Sequence, residues 1–383
     1  MSKQLRQAVQ EIEISGIRKF NTRVAGIPDM IRLTLGEPDF PTPEHVKQAA
    51  IEAIHNDFTN YTPNAGTPEL LEAASQYFRE KYDLKYSTKE IIVTVGATEA
   101  INTALQTILV AGDEVLLPDP IYPGYEPLIH LMDATAIKID TTETAFKLTA
   151  EQLRASITPK TKALILPYPS NPTGVTLTVE ELEQIAEVIR ESGIFVIADE
   201  IYSELTFFGT HTSIATMIRE QTIVINGLSK SHAMIGWRIG FLMAPEAITD
   251  QLIKVHQYAV TCASSISQKA AQEALLHGKD DAVQMRTEYN TRAGFVQDRL
   301  TKMGFSIIRP DGAFYFFAKL PDSVQENSFD WAIELAEVAK VAVVPGSAFS
   351  EKGDRYFRLS FAASFIKLAE AMDRMSTFME KYE

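Results

Sequence analysis

The sequence contains a single cysteine, Cys262, among 383 residues. One thiol cannot form a disulfide within the chain, nor can it build a metal site that needs several cysteine ligands. The first residues, from Met1 to Gln7, lack the apolar core of a secretion signal, and no stretch of 18 apolar residues occurs anywhere. These absences predict a cytoplasmic protein without a membrane partner. No motif with metal-ligand spacing is present either.

Positively charged residues are also fewer than negatively charged ones. The chain has 36 Lys and Arg residues against 50 Asp and Glu residues, which gives a formal net charge of −14 at pH 7. This excess of negative charge opposes binding to nucleic acids and to anionic membranes. Hydrophobic residues make up 45% of the chain and charged residues 22%, as is typical of globular enzymes. The length predicts two domains, each large enough to bury a core.

Short apolar runs alternate with helical patterns between about residues 90 and 245, which is typical of βαβ units around a mainly parallel sheet. The predicted strands of this region are Ile91–Val95, Glu114–Leu117, Ala163–Leu166, Ile194–Ala198, Thr222–Ile225 and Gly240–Met243. The predicted helices are Thr98–Leu109, Thr178–Glu191 and one that starts at Ala247 and runs into the Ile253 region. The predicted fold class is therefore α/β.

Two outer segments flank this central block. The N-terminal segment has a helical pattern over Glu11–Val24, and the C-terminal segment has a long helical pattern around Asp280–Lys302. Further strands are predicted near Ser306–Arg309, Ala313–Phe317 and Arg358–Ser360. We therefore predict a large α/β domain at residues 41–275 and a smaller α+β domain built from residues 1–40 and 276–383.

Lys230 is the most informative residue for function. It follows the apolar run Thr222–Ile225, and ligands gather at the carboxyl ends of buried parallel strands. A desolvated lysine at such a place loses its proton more easily and can attack a carbonyl to form a Schiff base. Arg238, eight residues later, can hold a phosphate ester. An amine nucleophile beside a phosphate-binding cation is what pyridoxal phosphate requires.

Two other strands lead into groups that suit such a cofactor. After Ile91–Val95, the helix start at Gly96-Ala97-Thr98 offers backbone N–H groups to a phosphate, although an ordinary strand-to-helix turn has the same sequence pattern. Tyr122 comes after the strand Glu114–Leu117. Its ring could stack on a planar cofactor or simply pack a Pro-rich turn.

Three polar residues follow the next strands of the sheet. Asn171 lies in a Pro-rich loop that fixes its backbone and aims its amide, although alone it could form an Asx turn. Asp199 ends a buried strand, and a protonated pyridine nitrogen would offset the cost of burying its carboxylate. Alone, Asp199 could instead cap the next helix. Tyr202 can reach the ring hydroxyl. Because these groups end successive strands of the sheet that carries Lys230, together they predict a coenzyme site.

The segments Ser229–Gly240, Asn171-Pro172-Thr173-Gly174 and Asp199-Glu200-Ile201-Tyr202 resemble the class I/II aminotransferases, which are fold-type I enzymes dependent on pyridoxal 5′-phosphate. The resemblance covers essentially the whole chain. It implies that Lys230 carries the cofactor and shuttles the substrate proton, and that Asp199 pairs with the pyridine nitrogen. It further implies that the ring oxygen meets Asn171 and Tyr202, the ring face meets Tyr122, and the phosphate meets Gly96, Ala97, Thr98, Ser229 and Arg238.

The resemblance also implies substrate and subunit contacts. Arg358 matches the arginine that grips the α-carboxylate of the substrate in a bidentate pair, and Gly36 and Asn171 match residues that meet the same carboxylate. Tyr61 looks like the residue that reaches the phosphate in the neighbouring subunit. The expected assembly is a homodimer with shared active sites, which acts on an amino acid and a 2-oxo acid.

A finer resemblance concerns the substrate. Glu11–Phe20, Leu166–Pro172 and Lys254–Tyr258 are similar to the branch of N-acetyl-L,L-diaminopimelate aminotransferases of lysine biosynthesis, some of which are also labelled aromatic aminotransferases. Thr98 stands where some aspartate-preferring relatives have a lysine, which disfavours aspartate. We expect transamination of N-acetyl-L,L-diaminopimelate with 2-oxoglutarate as acceptor. Transamination of aromatic amino acids and carbon–sulfur β-lyase activity are the alternatives.

Three further features are assigned no chemistry. His232 lies close to Lys230 in sequence but is interpreted as a packing residue, and Cys262 as a small buried filler. The segment Ser15–Arg18 could form a mobile lid hinged at Gly16 or belong to an ordinary N-terminal helix, and the sequence leaves both possibilities open.

Overall fold

The computed structural model describes residues 5–382. Its strands are β1 (Ile31–Arg32), β2 (Ile91–Thr94), β3 (Glu114–Asp119), β4 (Thr135–Asp140), β5 (Thr161–Leu166), β6 (Phe195–Asp199), β7 (Thr222–Gly227), β8 (Gly240–Met243), β9 (Tyr315–Lys319), β10 (Val341–Ala342), β11 (Val344–Pro345) and β12 (Tyr356–Ser360). Its α-helices are α1 (Gln7–Glu11), α2 (Gly16–Arg23), α3 (Glu44–His55), α4 (Pro68–Tyr82), α5 (Gly96–Ile108), α6 (Tyr125–Leu131), α7 (Ala150–Ser156), α8 (Val179–Ser192), α9 (Ala215–Ile218), α10 (Leu228–Ser231), α11 (Glu246–Ala259), α12 (Ser265–His277), α13 (Ala282–Lys302), α14 (Ser328–Ala339) and α15 (Phe365–Met379).

Within residues 5–382, the main sheet has seven strands in the order β2-β8-β7-β6-β5-β3-β4. The strands from β7 to β4 are parallel, whereas β8 is antiparallel to β7 and β2. The α/β class with a mainly parallel sheet is thereby confirmed. Because Gly227 pairs with Gly240, residues 228–239 leave and re-enter the sheet at the same edge. This excursion holds Lys230 and Arg238 at the carboxyl end of β7.

All six strands predicted for the central block are present, but β4 was not predicted. β4 lies at the edge of the sheet, and only Ile139 among its residues is buried. A strand with so little apolar surface gives a weak signal in the sequence. The helix predicted from Thr98 begins earlier, at Gly96, which places the first turn of α5 directly after β2.

Helices cover both faces of the main sheet. Adjacent residues of a strand point to opposite faces. Thus Ile165 and Ile197 pack in the cluster that includes α5 and α11, while Leu164 and Val196 pack in the cluster that includes α8. Because the strands are buried on both faces, they read as continuous apolar runs. Polar groups can therefore meet a ligand only at the strand ends.

Both ends of the chain contribute to a second core. Phe20 of α2 and Leu33 belong to the same buried cluster as Trp331, Phe357 and Met372. Next to this core lie an antiparallel sheet in the order β11-β12-β9 and the parallel pair β1-β10. An α+β unit built from both termini agrees with this arrangement. The domain boundaries at residues 41 and 276 stay a prediction.

The strand predicted near Ser306–Arg309 is wrong. Only Ser306 forms a β-bridge, with Lys319 of β9. Pro310 has no N–H donor, and the backbone N–H groups of Asp311 and Gly312 bond to the carbonyl oxygen of Gly174 instead of a strand. The segment therefore turns away from the sheet toward the loop that carries Asn171.

The remaining helix predictions agree with α8, α11 and α13, whose bounds differ from the expected ones by a few residues. The N-terminal pattern over Glu11–Val24 is interrupted, because α1 ends at Glu11 and α2 begins at Gly16. In the part of the chain that the structure describes, no helix is long and apolar enough to cross a membrane.

Candidate active site

A cleft of about 770 Å³ lies at the carboxyl ends of β5, β6 and β7, since its lining includes residues that follow each of these strands. Most of the predicted site residues line it: Gly36, Ala97, Thr98, Tyr122, Asn171, Asp199, Tyr202, Ser229, Lys230, Arg238 and Arg358. Gly96 lies just behind the lining, against the side chain of Arg238. Tyr61 lies outside the cleft.

Lys230 belongs to α10, the short helix that follows β7 directly. Its Nζ donates a 2.7 Å hydrogen bond to the carbonyl oxygen of Gly36. The same atom lies 5.8 Å from the ring centre of Tyr202 and 6.0 Å from that of Phe314. Burial lowers the pKa of Lys230 to about 8, with the charge of Glu37 opposing the shift. An amine with this pKa has a useful unprotonated fraction near neutral pH, as a nucleophile requires.

Asp199 is the last residue of β6 and is buried. Its Oδ2 accepts a 2.7 Å hydrogen bond from Tyr125 Oη, and its Oδ1 accepts one of 3.2 Å from the backbone N–H of Ile201. Burial raises the pKa of the Asp199 carboxyl, and the hydrogen bond from Tyr125 opposes this rise. A carboxylate in this position would be stabilised by a cation in the cleft, so it suits a protonated ring nitrogen.

A cradle for an anion lies at the first turn of α5. Gly96 has a φ of +76°, and a Cβ at this residue would lie 2.5 Å from Nη2 of Arg238. From the other side, a Cβ at Gly240 would lie 2.8 Å from the backbone nitrogen of Ala97. The two glycines therefore let the strand, the helix start and the guanidinium come together, with Ser229 lining the same cleft. Backbone N–H groups, a hydroxyl and a guanidinium are the donors that a phosphate monoester needs.

Tyr122 forms one wall of the cleft. Its ring meets the ring of Tyr125 edge-on, with centres 5.5 Å apart and planes at 88°. A side chain at position 124 would block this placement, because a Cβ at Gly124 would lie 2.3 Å from the Tyr122 ring. Tyr122 is 39% exposed, which leaves ring surface available to a planar ligand.

Arg358 of β12 is a buried cation held on several sides. Its guanidinium lies 4.5 Å from the ring centre of Tyr315 and 4.9 Å from that of Phe349. Nη1 donates to Asn171 Oδ1 at 2.9 Å, and Nη2 donates to the carbonyl oxygen of Thr34 at 2.7 Å. Burial lowers the pKa of Arg358, and its Nε has no hydrogen-bond partner among residues 5–382. A fixed guanidinium that still lacks an anion is suited to grip a carboxylate.

Tyr315 connects the residues around Lys230 with those around Arg358. Its hydroxyl lies 2.8 Å from the hydroxyl of Tyr202, and its ring centre lies 4.5 Å from the guanidinium of Arg358. Gly36 leaves room for it, since a Cβ at Gly36 would lie 2.8 Å from the Tyr315 hydroxyl. The predicted ring-oxygen contact Tyr202 and the predicted substrate contact Arg358 thus share one supporting side chain.

Tyr125, Tyr315 and Thr34 were not predicted as site residues from the sequence. Each contacts a site residue that is distant in the chain: the residue numbers of Tyr125 and Asp199 differ by 74, and those of Thr34 and Arg358 differ by 324. A local signal existed only for Tyr125, which follows Tyr122 in the same loop. Nothing near Tyr315 or Thr34 in the sequence marks them as part of the site.

His232 and Cys262, for which the sequence predicts no catalytic role, also have defined positions in the structure. His232 is buried, with Nδ1 2.8 Å from Ser231 Oγ and Nε2 2.9 Å from the carbonyl oxygen of Gly278. Burial lowers the pKa of His232, in agreement with a packing role. Cys262 is only half-buried, so the buried-filler interpretation is too strong. Within residues 5–382, no cluster of His, Cys, Asp and Glu could hold a metal ion.

The segment Ser15–Arg18 belongs to an ordinary helix start. α2 begins at Gly16, and Ser15 caps it by accepting a hydrogen bond from the backbone N–H of Arg18. A Cβ at Gly16 would lie 2.9 Å from Ala348, so this position is tightly packed. Ser15, Ile17 and Arg18 line the cleft. Movement of this segment as a lid stays a prediction.

The cleft therefore matches a planar, phosphate-bearing aldehyde such as pyridoxal 5′-phosphate. An anion cradle, a half-exposed aromatic ring, a buried carboxylate and an amine of lowered pKa each suit a different part of that molecule. Arg358 adds a separate place for a carboxylate. The same donor set would be difficult to explain as packing, because it combines buried charge with unfilled hydrogen-bonding capacity.

Comparison with known proteins agrees with this geometry. A family model described as aminotransferase class I and II matches residues 28–374. The chain is 55% identical over 378 residues to a probable N-acetyl-LL-diaminopimelate aminotransferase of Bacillus subtilis (strain 168), covering 98% of this chain and 96% of the relative. It is 39% identical to the aromatic-amino-acid aminotransferase 2 of Thermococcus litoralis, with 98% of each chain covered. The solved structure of the Thermus thermophilus aspartate aminotransferase with maleate matches with a TM-score of 0.93 and 35% identity, covering 98% of this chain and 100% of that one.

Proposed function

Since this chain belongs to the class I and II aminotransferases and uses pyridoxal 5′-phosphate, we propose that it moves the amino group of N-acetyl-L,L-diaminopimelate to 2-oxoglutarate. The observation that supports this choice of substrate is the 55% identity, over nearly the full length of both chains, to a relative named for that reaction. The proposal includes a cytoplasmic location and a role in lysine biosynthesis, both of which are expected from the sequence.

Bound pyridoxal phosphate supplies an aldehyde that takes up an amino group and a ring that withdraws electrons from the substrate α-carbon. Lys230 Nζ would hold the cofactor, and its free amine would remove the substrate α-proton. Its lowered pKa of about 8 supports this role. Asp199 would accept a hydrogen bond from the protonated ring nitrogen, and Tyr125 orients the carboxylate.

The other cofactor contacts hold the ring and the phosphate in place. Asn171 and Tyr202 bind the ring oxygen, and Tyr122 covers one face of the ring. The phosphate would be held at the start of α5 by Gly96, Ala97, Thr98, Ser229 and Arg238. The close approach of Gly96 to Arg238 supports this placement, since it brings the helix start and a guanidinium to one point.

The substrate α-carboxylate is bound by Arg358, with Asn171 and the backbone of Gly36 beside it. Arg358 lies close to two aromatic rings and donates hydrogen bonds to Thr34 and Asn171, so the guanidinium presents a fixed geometry. A carboxylate held in this way positions the α-carbon near Lys230, because Lys230 Nζ donates to Gly36 in the same part of the cleft.

The enzyme works as a homodimer in which Tyr61 binds the phosphate of the partner subunit. Tyr61 is 87% exposed and lies outside the cleft of its own chain, which supports a role across an interface. Mixed dimers of Lys230→Ala and Tyr61→Ala chains test this. If Tyr61 acts across the interface, the Tyr61→Ala chain regains a complete site from its partner, and cofactor affinity recovers. If it acts within one chain, mixing restores nothing.

Two other activities use the same cofactor. Transamination of aromatic amino acids is favoured by the Thermococcus litoralis relative, and a carbon–sulfur β-lyase would share the lysine and ring contacts. A half-reaction screen separates them: holoenzyme without a 2-oxo acid is mixed with N-acetyl-L,L-diaminopimelate, phenylalanine, aspartate or cystathionine, and the cofactor absorption is followed. We expect the ratio of the half-reaction rate constant to the substrate dissociation constant to be highest for N-acetyl-L,L-diaminopimelate. Preference for phenylalanine, or release of pyruvate and ammonia from cystathionine, would contradict the proposed function.

A further inference from the structure

A fully buried histidine is bonded to the helix turn that forms the anion cradle. His256 belongs to the last turn of α11. Its Nδ1 lies 3.0 Å from Oε1 of Glu99, and its Nε2 lies 2.8 Å from the carbonyl oxygen of Asn64. Burial of a polar ring costs free energy unless its nitrogens are hydrogen-bonded. Both nitrogens of His256 are bonded, and their partners belong to two segments of the chain that are distant from α11 in sequence.

The partners of His256 fix where the protons lie. A carbonyl oxygen only accepts, so Nε2 carries a hydrogen toward Asn64. Nδ1 faces the Glu99 carboxylate, which also accepts hydrogen bonds from Thr103 Oγ1 at 2.8 Å and from the backbone N–H of Val95 at 2.9 Å. Since two lone pairs 3.0 Å apart would repel each other, a proton also lies between Nδ1 and Oε1. His256 therefore joins the two segments by two hydrogen bonds, one of them to an acidic group.

The first of these segments is the anion cradle itself. Glu99 follows Gly96-Ala97-Thr98 directly in the first turn of α5. Its Oε2 accepts a hydrogen bond from the N–H of Val95, on the other side of those three residues. The Glu99 side chain thus closes the turn whose backbone N–H groups we assign to the phosphate. Because the other oxygen of Glu99 is bonded to His256, the position of this turn depends on His256.

The second segment is the loop that carries Tyr61. Asn64, whose carbonyl oxygen is bonded to His256 of α11, comes three residues after Tyr61. From α12, Gln268 Nε2 donates a 2.9 Å hydrogen bond to Thr62 Oγ1. The loop is therefore held from inside the subunit by two helices, while the Tyr61 side chain is 87% exposed. How far Tyr61 extends from its own chain depends on these internal contacts.

We propose that His256 is a positioning residue for the cofactor phosphates of both subunits. Through Glu99 it holds the anion cradle of its own chain, and through Asn64 it holds the Tyr61 that reaches the neighbouring site. Both roles rest on the proposed function, which assigns the phosphate to the start of α5 and Tyr61 to the site of the other subunit. His256 is fully buried, so it acts only through the groups that it orients. The two phosphate sites of the dimer are thereby linked through one side chain of each subunit.

Mixed dimers of full-length chains separate the two roles. One chain carries Lys230→Ala, so only the site of the other chain can link the cofactor to its lysine. In the first hybrid, His256→Gln is placed on the chain with the intact lysine, where it alters the cradle of the measured site. In the second hybrid it is placed on the Lys230→Ala chain, where it alters the Tyr61 loop that reaches the measured site. In a third hybrid, the Lys230→Ala chain carries Tyr61→Ala instead.

The measured quantity is the dissociation constant of pyridoxal divided by that of pyridoxal 5′-phosphate, each followed by the absorption of the lysine-linked cofactor. Pyridoxal lacks only the phosphate, so a variant that merely loosens the fold weakens both ligands and leaves the ratio unchanged. Thr249→Val is the matched control, because it removes buried hydrogen bonds to Ala244 and Pro245 near the other end of α11. His256→Asn, whose side chain is too short to bridge Glu99 and Asn64, replaces His256→Gln if that variant does not form dimers.

We expect this ratio to fall by roughly 10-fold in both the first and the second hybrid, relative to a dimer of wild-type and Lys230→Ala chains. Thr249→Val leaves the ratio unchanged on either chain. A fall in only one of the two hybrids, or in neither, overturns the proposal. The third hybrid tests the proposed function separately. A fall there without a fall in the second hybrid overturns the role of His256 alone, whereas an unchanged ratio in the third hybrid overturns the role of Tyr61 across the interface and the second role of His256 with it.

Discussion

The hydroxyl of Tyr125 donates a 2.7 Å hydrogen bond to Oδ2 of Asp199 at the buried end of β6. Burial alone would raise the pKa of the Asp199 carboxyl and favour its neutral form. The Tyr125 hydroxyl and the backbone N–H of Ile201 both donate to the charged form and so oppose that tendency. Tyr125 therefore orients Asp199 and favours its anionic form toward the position that we assign to the ring nitrogen.

The first prediction concerns this hydrogen bond. In Tyr125→Phe, the carboxylate loses one donor while the aromatic packing against Tyr122 is kept. A hydrogen bond to a charged group contributes about 2 kcal/mol, so we expect the cofactor dissociation constant to rise and kcat to fall, each by roughly 10-fold or more. Equilibrium dialysis and steady-state rates measure the two effects.

Tyr86→Phe is the matched control for this variant. Tyr86 is also buried, but its hydroxyl has no hydrogen-bond partner among residues 5–382 and it does not line the cleft. We expect its removal to leave cofactor affinity and kcat unchanged. Equal effects from the two substitutions would show that Tyr125 contributes only to packing.

The second prediction concerns the shape of the carboxylate-binding cation. Arg358→Lys keeps the charge but loses the planar group that lies close to the rings of Tyr315 and Phe349 and donates to Asn171 and Thr34. We expect the KM for amino acids to rise by roughly 30-fold or more, since lysine cannot replace a two-point contact. The reaction with a simple amine that has no carboxylate should change far less. A uniform loss for both kinds of substrate would contradict the assignment.

The third prediction follows from the pKa of Lys230, which burial lowers to about 8. Only the unprotonated amine can attack the cofactor aldehyde, so the rate of cofactor loading by the apoenzyme rises tenfold per pH unit below pH 8 and levels off above it. Because the negative charge of Glu37 raises the pKa of Lys230, Glu37→Gln should shift the profile to lower pH. Stopped-flow absorption measures this profile. A rate that still climbs between pH 9 and 10.5 would mean that the amine is not desolvated.

The fourth prediction concerns stability and His45. His45 bridges Glu273 and Asp281 at 2.9 Å each. Partial burial lowers its pKa, but the hydrogen bonds that the ring donates to Asp281 and Glu273 outweigh this, and the pKa of His45 is raised above its ordinary 6.5. Since the folded pKa exceeds the unfolded one, this stabilisation is complete below pH 6.5 and is lost as the pH rises through the folded-state value.

Thermal unfolding of the wild-type enzyme and His45→Gln should therefore differ most below pH 6.5, and the difference should shrink by pH 8.5. The free energy involved is below about 1 kcal/mol, because the pair is partly exposed to solvent. His55→Gln, at the exposed end of the same helix, serves as the control and should show no such trend. A difference in Tm that grows with pH would reverse the sign that we assign.

Much of the site was predictable because its residues lie at the ends of strands that are neighbours in the sheet. Asn171, Asp199 and Lys230 each follow a buried strand, and parallel neighbours bring such ends to one edge of the sheet. Tyr315 and Thr34 were not predictable, since they reach the site only when the smaller unit packs against the large sheet. Contacts of this kind depend on tertiary packing and leave no periodic or local trace in the sequence.

The same distinction applies to the fold. Strands buried on both faces give continuous apolar runs and were identified, whereas β4 at the sheet edge was missed. The run Ser306–Arg309 has apolar residues of the right kind but lies before Pro310, and its neighbours bond to Gly174 instead of a strand. In both cases the apolar pattern was a poor guide, because position in the sheet and backbone hydrogen bonding decided the outcome.

The most direct test of the account is to locate the cofactor on the chain. Holoenzyme is reduced with borohydride, which makes the link between cofactor and amine permanent, and the digested protein is analysed by mass spectrometry. The account predicts a pyridoxyl group on Lys230, and its loss together with a fall in turnover of at least roughly 100-fold in Lys230→Ala. A label on a different lysine of the wild-type enzyme, or normal turnover in Lys230→Ala, would contradict it.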